Sequence, residues 1–295
     1  MEVTRLKAQK SNAVDNGKLY LIGTPIGNLE DITFRAIRMM KEVDVIAAED
    51  TRNTIKLCNH YDIETPLMSY HEHNQKVSGE KILALLKEGK SVALVSDAGM
   101  PCISDPGAEL AEEVIAHGYD VVPVPGANAA ITALVASGLT TQPFAFHGFL
   151  PRNKKERDKQ IEKLTTKEET IILYEAPHRL KETLKALGKQ LEATRKIVLA
   201  REVTKKFEEF LRGTLEESIQ WADSNQIRGE FCIVIEGGAG KIHEEAQWWE
   251  NVSISEHVQT MIDQQKIRSK EAIAIVAKAR DMSKRDVYQA FHIKK

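Results

Sequence analysis

Cysteine is scarce in this chain. Cys58, Cys102 and Cys232 are odd in number, lie far apart and form no CxxC pair. That argues against a disulfide framework and a structural zinc site, and for a reducing, cytoplasmic compartment. An excess of one charge sign is missing too. The 41 Lys plus Arg face 43 Asp plus Glu, a formal net charge of -2 over 295 residues. A globally basic nucleic-acid protein is thereby excluded, and any such binding has to come from local patches. No continuous apolar run reaches the roughly 20 residues a membrane helix needs. Val121–Pro151 holds no Asp, Glu, Lys or Arg, yet Pro123, Pro125, Gly126 and Asn128 interrupt its first part and Thr140, Thr141, Gln142 and Pro143 its later part. Residues 1–16 are polar without an apolar centre, so they are expected to be a loose tail and not a signal peptide.

What is present is enough apolar residue, 42%, for sizeable cores, in a chain long enough for two domains and an appendage. Short apolar runs alternate with helical patterns. Strands are expected at Lys18–Ile22, Val43–Ala47, Ser91–Ser96 and Asp120–Val124, and helices from about Asp31, over Asn74–Glu88, Gly107–His117 and Asn128–Ser137. Such alternation implies mostly parallel strands joined by crossover helices. A break at Ser137–Pro143 opens a second α/β unit. Its expected strands are Phe144–His147, Thr170–Tyr174, Lys196–Ala200, Glu208–Arg212 and Phe231–Glu236, with helices from Lys154 and from Pro177 to about Gln190. The later connections are short, which allows part of that sheet to be antiparallel. The expected division is a tail (1–16), two α/β domains (17–139 and 140–238), and a helical extension (239–295) after a Gly237–Gly240 linker.

The extension shows no strand pattern. Ser269 precedes Ala272, Ile273, Val276 and Ala279 on one helical face. After a turn at Asp281–Met282, Ser283 caps a second helix with Asp286 three positions on. Two short helices about a tight turn suggest a helix-turn-helix. From Gln264 to Lys295, nine Lys plus Arg stand against three Asp plus Glu. By itself that describes a solvated basic face.

Ligands of open parallel sheets bind outside the carboxyl ends of the strands, and three loops leave such ends here. Gly23–Asp31 permits close backbone approach and feeds a helix start. It is neither GxGxxG nor a Walker A motif, so a nicotinamide dehydrogenase is a poor reading. Ser96–Gly107 is twelve residues, long for a connection of this kind, with Asp97 just past an apolar strand. Val124–Ala130 is built of small residues. The polar clusters Ala48–Arg52 and Tyr70–Asn74 also follow strands. His71 and His73 flank Glu72, but no third ligand sits at a typical spacing, so no metal is expected. Hydrogen bonding to a polar substrate or across a dimer surface suits them better.

Together these segments resemble the tetrapyrrole methylase superfamily, the class III S-adenosylmethionine methyltransferases, and within it the RNA-modifying branch. The resemblance is carried by Gly23-Thr24-Pro25-Ile26-Gly27-Asn28-Leu29 with Asp31-Ile32-Thr33, Ala48-Glu49-Asp50-Thr51-Arg52, and Ser96-Asp97-Ala98-Gly99-Met100-Pro101 with Asp105-Pro106-Gly107. Pro125-Gly126-Ala127-Asn128-Ala129, Gly148-Phe149-Leu150-Pro151 and Tyr174-Glu175-Ala176-Pro177-His178-Arg179 complete it. It covers about Lys18 to Gly238, and each motif is weak alone but the ordered set is specific. The resemblance implies two α/β domains with the cofactor in the cleft between them, a homodimer, and a helix-turn-helix-like extension. Corrin and sirohaem methylases usually carry Gly-Asp-Pro at the Ser96-Asp97-Ala98 position and Gly-x-Gly-Pro-Gly at Gly23–Gly27. Both departures point to RNA.

The implied activity is methyl transfer from S-adenosylmethionine to the ribose 2'-oxygen of a decoding-centre cytidine, in 16S ribosomal RNA or the small ribosomal subunit. The cofactor would meet Ser96, Asp97, Ala98, Gly99, Ile103, Ser104, Gly126, Ala127, Tyr174, Glu175 and Ala176. A ribose hydroxyl needs help in losing its proton, and the candidate bases are Asp31, Glu49, Asp50, His147, Glu175 and His178. Arg52, His71, Lys154, Lys155, Arg157, Arg179, Arg201 and Lys205 are the candidates for holding RNA. Two rivals remain: a methyltransferase of the same fold acting on a tetrapyrrole or other small metabolite, and a non-catalytic RNA-binding factor of ribosome assembly.

Overall fold

The computed structural model describes residues 17–238, 252–280 and 282–292, together with Gln9 and Trp249. The expected tail at 1–16 (Gln9 apart), most of the linker and Asp281 lie outside the described residues.

Ten strands form two five-stranded sheets. The first is built from β1 (Lys18–Ile22), α1 (Phe34–Glu42), β2 (Val45–Ala48), α2 (Thr51–His60), β3 (Leu67–Ser69), α3 (Gln75–Lys87), β4 (Val92–Val95), α4 (Ala108–Ala116), β5 (Asp120–Val124) and α5 (Ala129–Ser137). Its order is β3-β2-β4-β1-β5 and every pairing is parallel. A parallel sheet is covered on both faces, and the strands show it. Along β4, Val92 and Leu94 enter one core cluster while Ala93 and Val95 enter the other. Adjacent strands β1 and β4 send their connections in opposite directions, to β2 and β5, which places the topological switch point between them.

The second sheet comprises β6 (Phe144–Phe149), α6 (Lys154–Thr165), β7 (Thr170–Glu175), α7 (Pro177–Leu187), β8 (Lys196–Arg201), β9 (Glu209–Thr214), α8 (Leu215–Ser224) and β10 (Phe231–Ile235). Its order is β6-β7-β10-β8-β9, with only β6 and β7 parallel. The short connections do give antiparallel neighbours. Ala130, Ala133 and Leu134 of α5 bury themselves against Ile172, Val198 and Val234 of this sheet, so a helix from the first half closes one face of the second. The two sheets accordingly share one compact unit ending at Gly238.

Among its described residues a second unit holds three helices, α9 (Ile254–Gln265), α10 (Ser269–Ala279) and α11 (Lys284–His292). Val258, Ala272, Ile273, Val276, Ala277 and Val287 form its core. The Ser283 hydroxyl accepts from the Asp286 amide at 3.2 Å and donates to its carboxylate, as the sequence suggests. The sequence reading gives two helices; the third, α9, carries a Ser253–Glu256 capping box.

Two other helices also go unassigned from sequence, α2 and α8. The first helix begins later than expected, because Asn28 caps a short 3-10 turn at Leu29–Asp31 and Thr33 then caps α1 through the Ala36 amide. Among the described residues no helix is long and apolar enough to cross a membrane. Nor is any group of three or more His, Cys, Asp or Glu placed to hold a metal ion.

Candidate active site

The loops after β1 and β4 meet at the switch point. Thr24 N donates to Gly99 O at 2.9 Å and Gly99 N returns to Thr24 O at 3.1 Å, a bridge that locks the two loops together. A third loop presses on the first, since a Cβ built on Gly23 would stand 2.7 Å from the Gly126 Cα. Glycine is required at both positions for that approach. At Gly99, where φ is +80°, a side chain would also meet Ile26 and the Ala127 carbonyl at 3.2–3.3 Å.

Beside this bridge opens a cavity of about 270 Å³ between the two sheets. The first half contributes Ile26, Ala98, Gly99, Ile103, Ser104 and Asp105, the second Phe149, Tyr174, Ala176, Val203 and Lys205, among others. Phe146 and Phe149 meet the Tyr174 ring edge-on at 4.9 and 5.7 Å, making an aromatic corner. The Tyr174 hydroxyl accepts the Ala130 amide at 3.1 Å, tying the first turn of α5 to β7. Burial pushes this phenol up to about 12. It does the same to the Cys232 thiol, so that cysteine is an inert wall and no nucleophile.

A ledge of carboxylates borders the cavity where β2 and β4 end. Asp97 accepts the Asp50 amide at 3.2 Å and the Asn53 amide group at 2.9 Å, and its own amide donates to Glu49. Burial, then the Asp97 and Asp50 charges, raise Glu49 against that hydrogen bond. Asp105 is pushed up to about 6, first by burial and then by the Glu49 charge.

Of the residues expected to meet a cofactor, Ala98, Gly99, Ile103, Ser104, Tyr174, Glu175 and Ala176 line the cavity. Ser96, Asp97, Gly126 and Ala127 shape it from behind or beside it. The candidate bases scatter. Asp31 and His178 are exposed. Asp50 caps α2 and is held at about 2, chiefly by the Arg52 side chain. His147 lies at the β6 bulge and is not among the cavity-lining residues, and burial lowers its pKa. The Glu175 carboxylate is fully buried and held by the Ala176 amide, the Thr183 hydroxyl and Arg179. Glu49 is not among the cavity-lining residues, but it neighbours Asp97 and Asp105 with no ion pair to it among the described residues.

The candidate RNA contacts divide as sharply. Arg157 does not face outward as expected. It is 3% exposed and pairs with Glu182 at 2.9 Å, because Arg157, Ile161 and Leu164 share the buried face of α6. Arg179 reaches inward to the Leu150 carbonyl and Glu175. Arg201 bonds the Arg228 carbonyl and Glu209. Lys205 lines the cavity, paired with Glu202 and Glu230. The His71 ring accepts from the His73 amide within its own turn. Lys154, Lys155 and Arg52 are exposed, the last paired with Asp50. Sequence reading omits Asp105, Met100 and the second sheet's Phe149, Ala200, Glu202, Val203, Glu230, Phe231 and Cys232 from the site. Met100, Asp105 and Phe149 fall inside motifs that could have marked them.

Comparison with known proteins bears on this geometry. The profile of the Tetrapyrrole (Corrin/Porphyrin) Methylases family matches residues 18–219. The Ribosomal RNA small subunit methyltransferase I of Bacillus subtilis (strain 168) is 59% identical over 281 residues, covering 95% of this chain and 96% of the relative. The protein of the same name from Halalkalibacterium halodurans is 55% identical over 278 residues, covering 94% and 96%. Among solved structures, a cobalamin biosynthetic enzyme, cobalt precorrin-4 methyltransferase, superposes with a TM-score of 0.58 at 20% identity, over 74% of this chain and 94% of that one. Uroporphyrin-III C-methyltransferase from Thermus thermophilus, complexed with S-adenyl homocysteine, gives 0.55 at 19% identity, over 75% and 97%. At such identities the structures speak to the fold alone.

Proposed function

The chain belongs to the tetrapyrrole methylase family, and from that premise we propose that it transfers a methyl group from S-adenosylmethionine to small-subunit ribosomal RNA, at the ribose 2'-oxygen of a decoding-centre cytidine. The observation that carries the reading is the pair of relatives above 50% identity over nearly the whole chain, both named for the small-subunit RNA. We further read the molecule as a cytoplasmic homodimer, with lobes at 17–139 and 140–238 and an extension at 239–295.

The cavity suits such a donor. A Cβ at Gly99 would meet Ile26 and the Ala127 carbonyl, so the floor is main chain that a ligand can approach. The aromatic corner at Tyr174 and Phe149 offers a flat apolar wall. When bound, the sulfonium supplies an already activated methyl carbon, so the protein's work is positioning. Ser96 and Thr24 fix the floor, the Thr24 hydroxyl donating to the Ser96 carbonyl at 3.1 Å. Tyr174 holds the second sheet against α5.

The test is methyl transfer from labelled donor to ribosomal RNA, offered free and in small subunits, followed by mapping of the modified nucleoside. The expected product is one cytidine whose ribose methylation makes the following phosphodiester resistant to alkali. A base-methylated nucleoside, or no product from either form, would overturn the assignment.

A further inference from the structure

Four carboxylates line the cavity: Asp105, Glu175, Glu202 and Glu230. Three are occupied. Glu175 accepts the Ala176 amide at 2.9 Å and the Thr183 hydroxyl at 2.5 Å and faces Arg179 at 3.4 Å. Glu202 accepts Lys205 Nζ at 3.0 Å and the Glu230 amide at 2.8 Å. Glu230 accepts the same ammonium at 2.8 Å. Asp105 differs. The Ser96 hydroxyl hydrogen-bonds it and holds its pKa down somewhat, but no ion pair to it is found among the described residues, and its charged neighbours Glu49 and Asp97 are acids. Glu49 and Asp97 stand near it at the ends of β2 and β4, and Tyr174 senses its charge from β7 across the cavity.

The backbone that presents Asp105 is held in an unusual shape. Cys102 and Ser104 both sit at positive φ, 71° and 63°, and Gly107 follows at 131°. Left-handed conformations at two non-glycine residues each cost about 1 kcal/mol or more and persist where the surroundings over-determine them. Here Ser104 and Asp105 both line the cavity, so the bend delivers consecutive side chains to it.

Resting on the reading under Proposed function, we propose that Asp105 is the catalytic residue that takes the proton from the acceptor hydroxyl. Asp105 Oδ receives the 2'-hydroxyl proton while the oxygen lone pair forms the new bond to the methyl carbon. The electron pair of the broken carbon–sulfur bond stays on sulfur, leaving a neutral thioether, and the proton passes from Asp105 to water. Burial and the Glu49 charge make Asp105 a better base than an ordinary aspartate, one still ionised at neutral pH. Asp97 is satisfied by two donors from the start of α2 and is thereby fixed in place.

The decisive comparison is Asp105→Asn against the wild type on small subunits. Single-turnover methylation should fall about 100-fold or more, the usual range for a lost general base, while S-adenosylhomocysteine affinity by calorimetry stays within about threefold, roughly half of one tenfold step. An undiminished rate would sink the proposal. So would rate and affinity falling together, which would make Asp105 a ligand of the donor. The pH–rate profile gives an independent reading, because Glu49→Gln removes a neighbouring negative charge and should move the acid limb to lower pH. A ¹³C-carboxyl NMR titration of Asp105 in the donor-free protein should place its midpoint on the acid limb of kcat/KM for the donor, which reports the free enzyme. A limb that stays put in Glu49→Gln, or departs from the NMR midpoint, would also overturn it. Ribose methylation by the wild type with an unaffected Asp105→Asn defeats this inference alone. No ribose methylation by the wild type defeats the underlying reading as well.

Discussion

The two sheets treat charge in opposite ways. On the second, nearly every charged group near the cavity has a partner: Glu175 with Arg179, and Lys205 with Glu202 and Glu230. On the first, Glu49, Asp97 and Asp105 gather past the ends of parallel strands with neutral donors (backbone amides, the Asn53 amide group and the Ser96 hydroxyl) and each other for company, and with no ion pair among the described residues. Topology explains part of this. Parallel strands all end on one side, so β1, β2 and β4 deliver three loops to one place. The antiparallel order of β7, β10, β8 and β9 splits its loops between two edges, leaving short connections whose charges pair locally. The difference suggests a division of labour, with the second sheet a braced wall and the first carrying unsatisfied electrostatics that chemistry can use.

The sharpest way to break this comparison is to unpair the wall. Arg179→Met leaves the Glu175 carboxylate fully buried with hydrogen bonds but no cation. Stranding a buried charge costs on the order of 3 kcal/mol. The expected result is a lower urea midpoint with an unchanged slope, and little change in the salt dependence of RNA binding. A variant of wild-type stability that binds RNA weakly would return Arg179 to the role its sequence motif suggested.

The ledge should behave in the opposite sense. Asp105 titrates at about 6 in the folded chain, above the unfolded value near 3.9. The folded state therefore keeps a proton that the unfolded state has already lost. This disfavours folding progressively between about pH 4 and 6, and fully above that. Asp105→Asn should accordingly stabilise the fold at pH 7.5 by about 1–2 kcal/mol, with the gain fading below about pH 4. Chemical denaturation of both proteins across that range reads the sign directly. A variant that is less stable at pH 7.5 would mean that Asp105 is braced like the second sheet's acids.

Much of this contrast can be read from the chain, and the exceptions have physical causes. The central strand Val92-Ala93-Leu94-Val95 is a continuous apolar run because both of its faces are covered. The loops announce themselves by glycine, proline and length. Helix α2 hides because only Thr54 and Cys58 of its ten residues are buried, too few to mark a face. Helix α8 has a legible start in its Thr214–Glu217 capping box that composition alone overlooks. Asp105 lies inside a quoted motif, but its chemistry is hidden for a different reason: what distinguishes it is the charge of Glu49, some fifty residues earlier, brought near by the pairing of β2 with β4. Arg157 lies in between. It looks like one more cation in Arg152–Arg157, yet its spacing to Ile161 and Leu164, i, i+4 and i+7, marks the inward face of α6.

That last case yields the gentlest test of the contrast. Lys154 and Lys155 are exposed at the start of α6, where Asn153 caps the helix through both the Lys155 and Glu156 amides. A helix start and two free ammonium groups favour phosphate, whereas Arg157 serves the fold. Replacing Lys154 and Lys155 with Ala, and leaving Arg157 in place, should weaken RNA binding about tenfold or less at 0.1 M salt. It should also flatten the slope of log K against log salt by about 1 to 2. Donor affinity and thermal stability should stay at their wild-type values. If filter binding across a salt series gives the wild-type slope, the run is a solvated helix start. The RNA would then have to be gripped elsewhere, with Arg52 at the start of α2 and the basic α10–α11 pair the next surfaces to test.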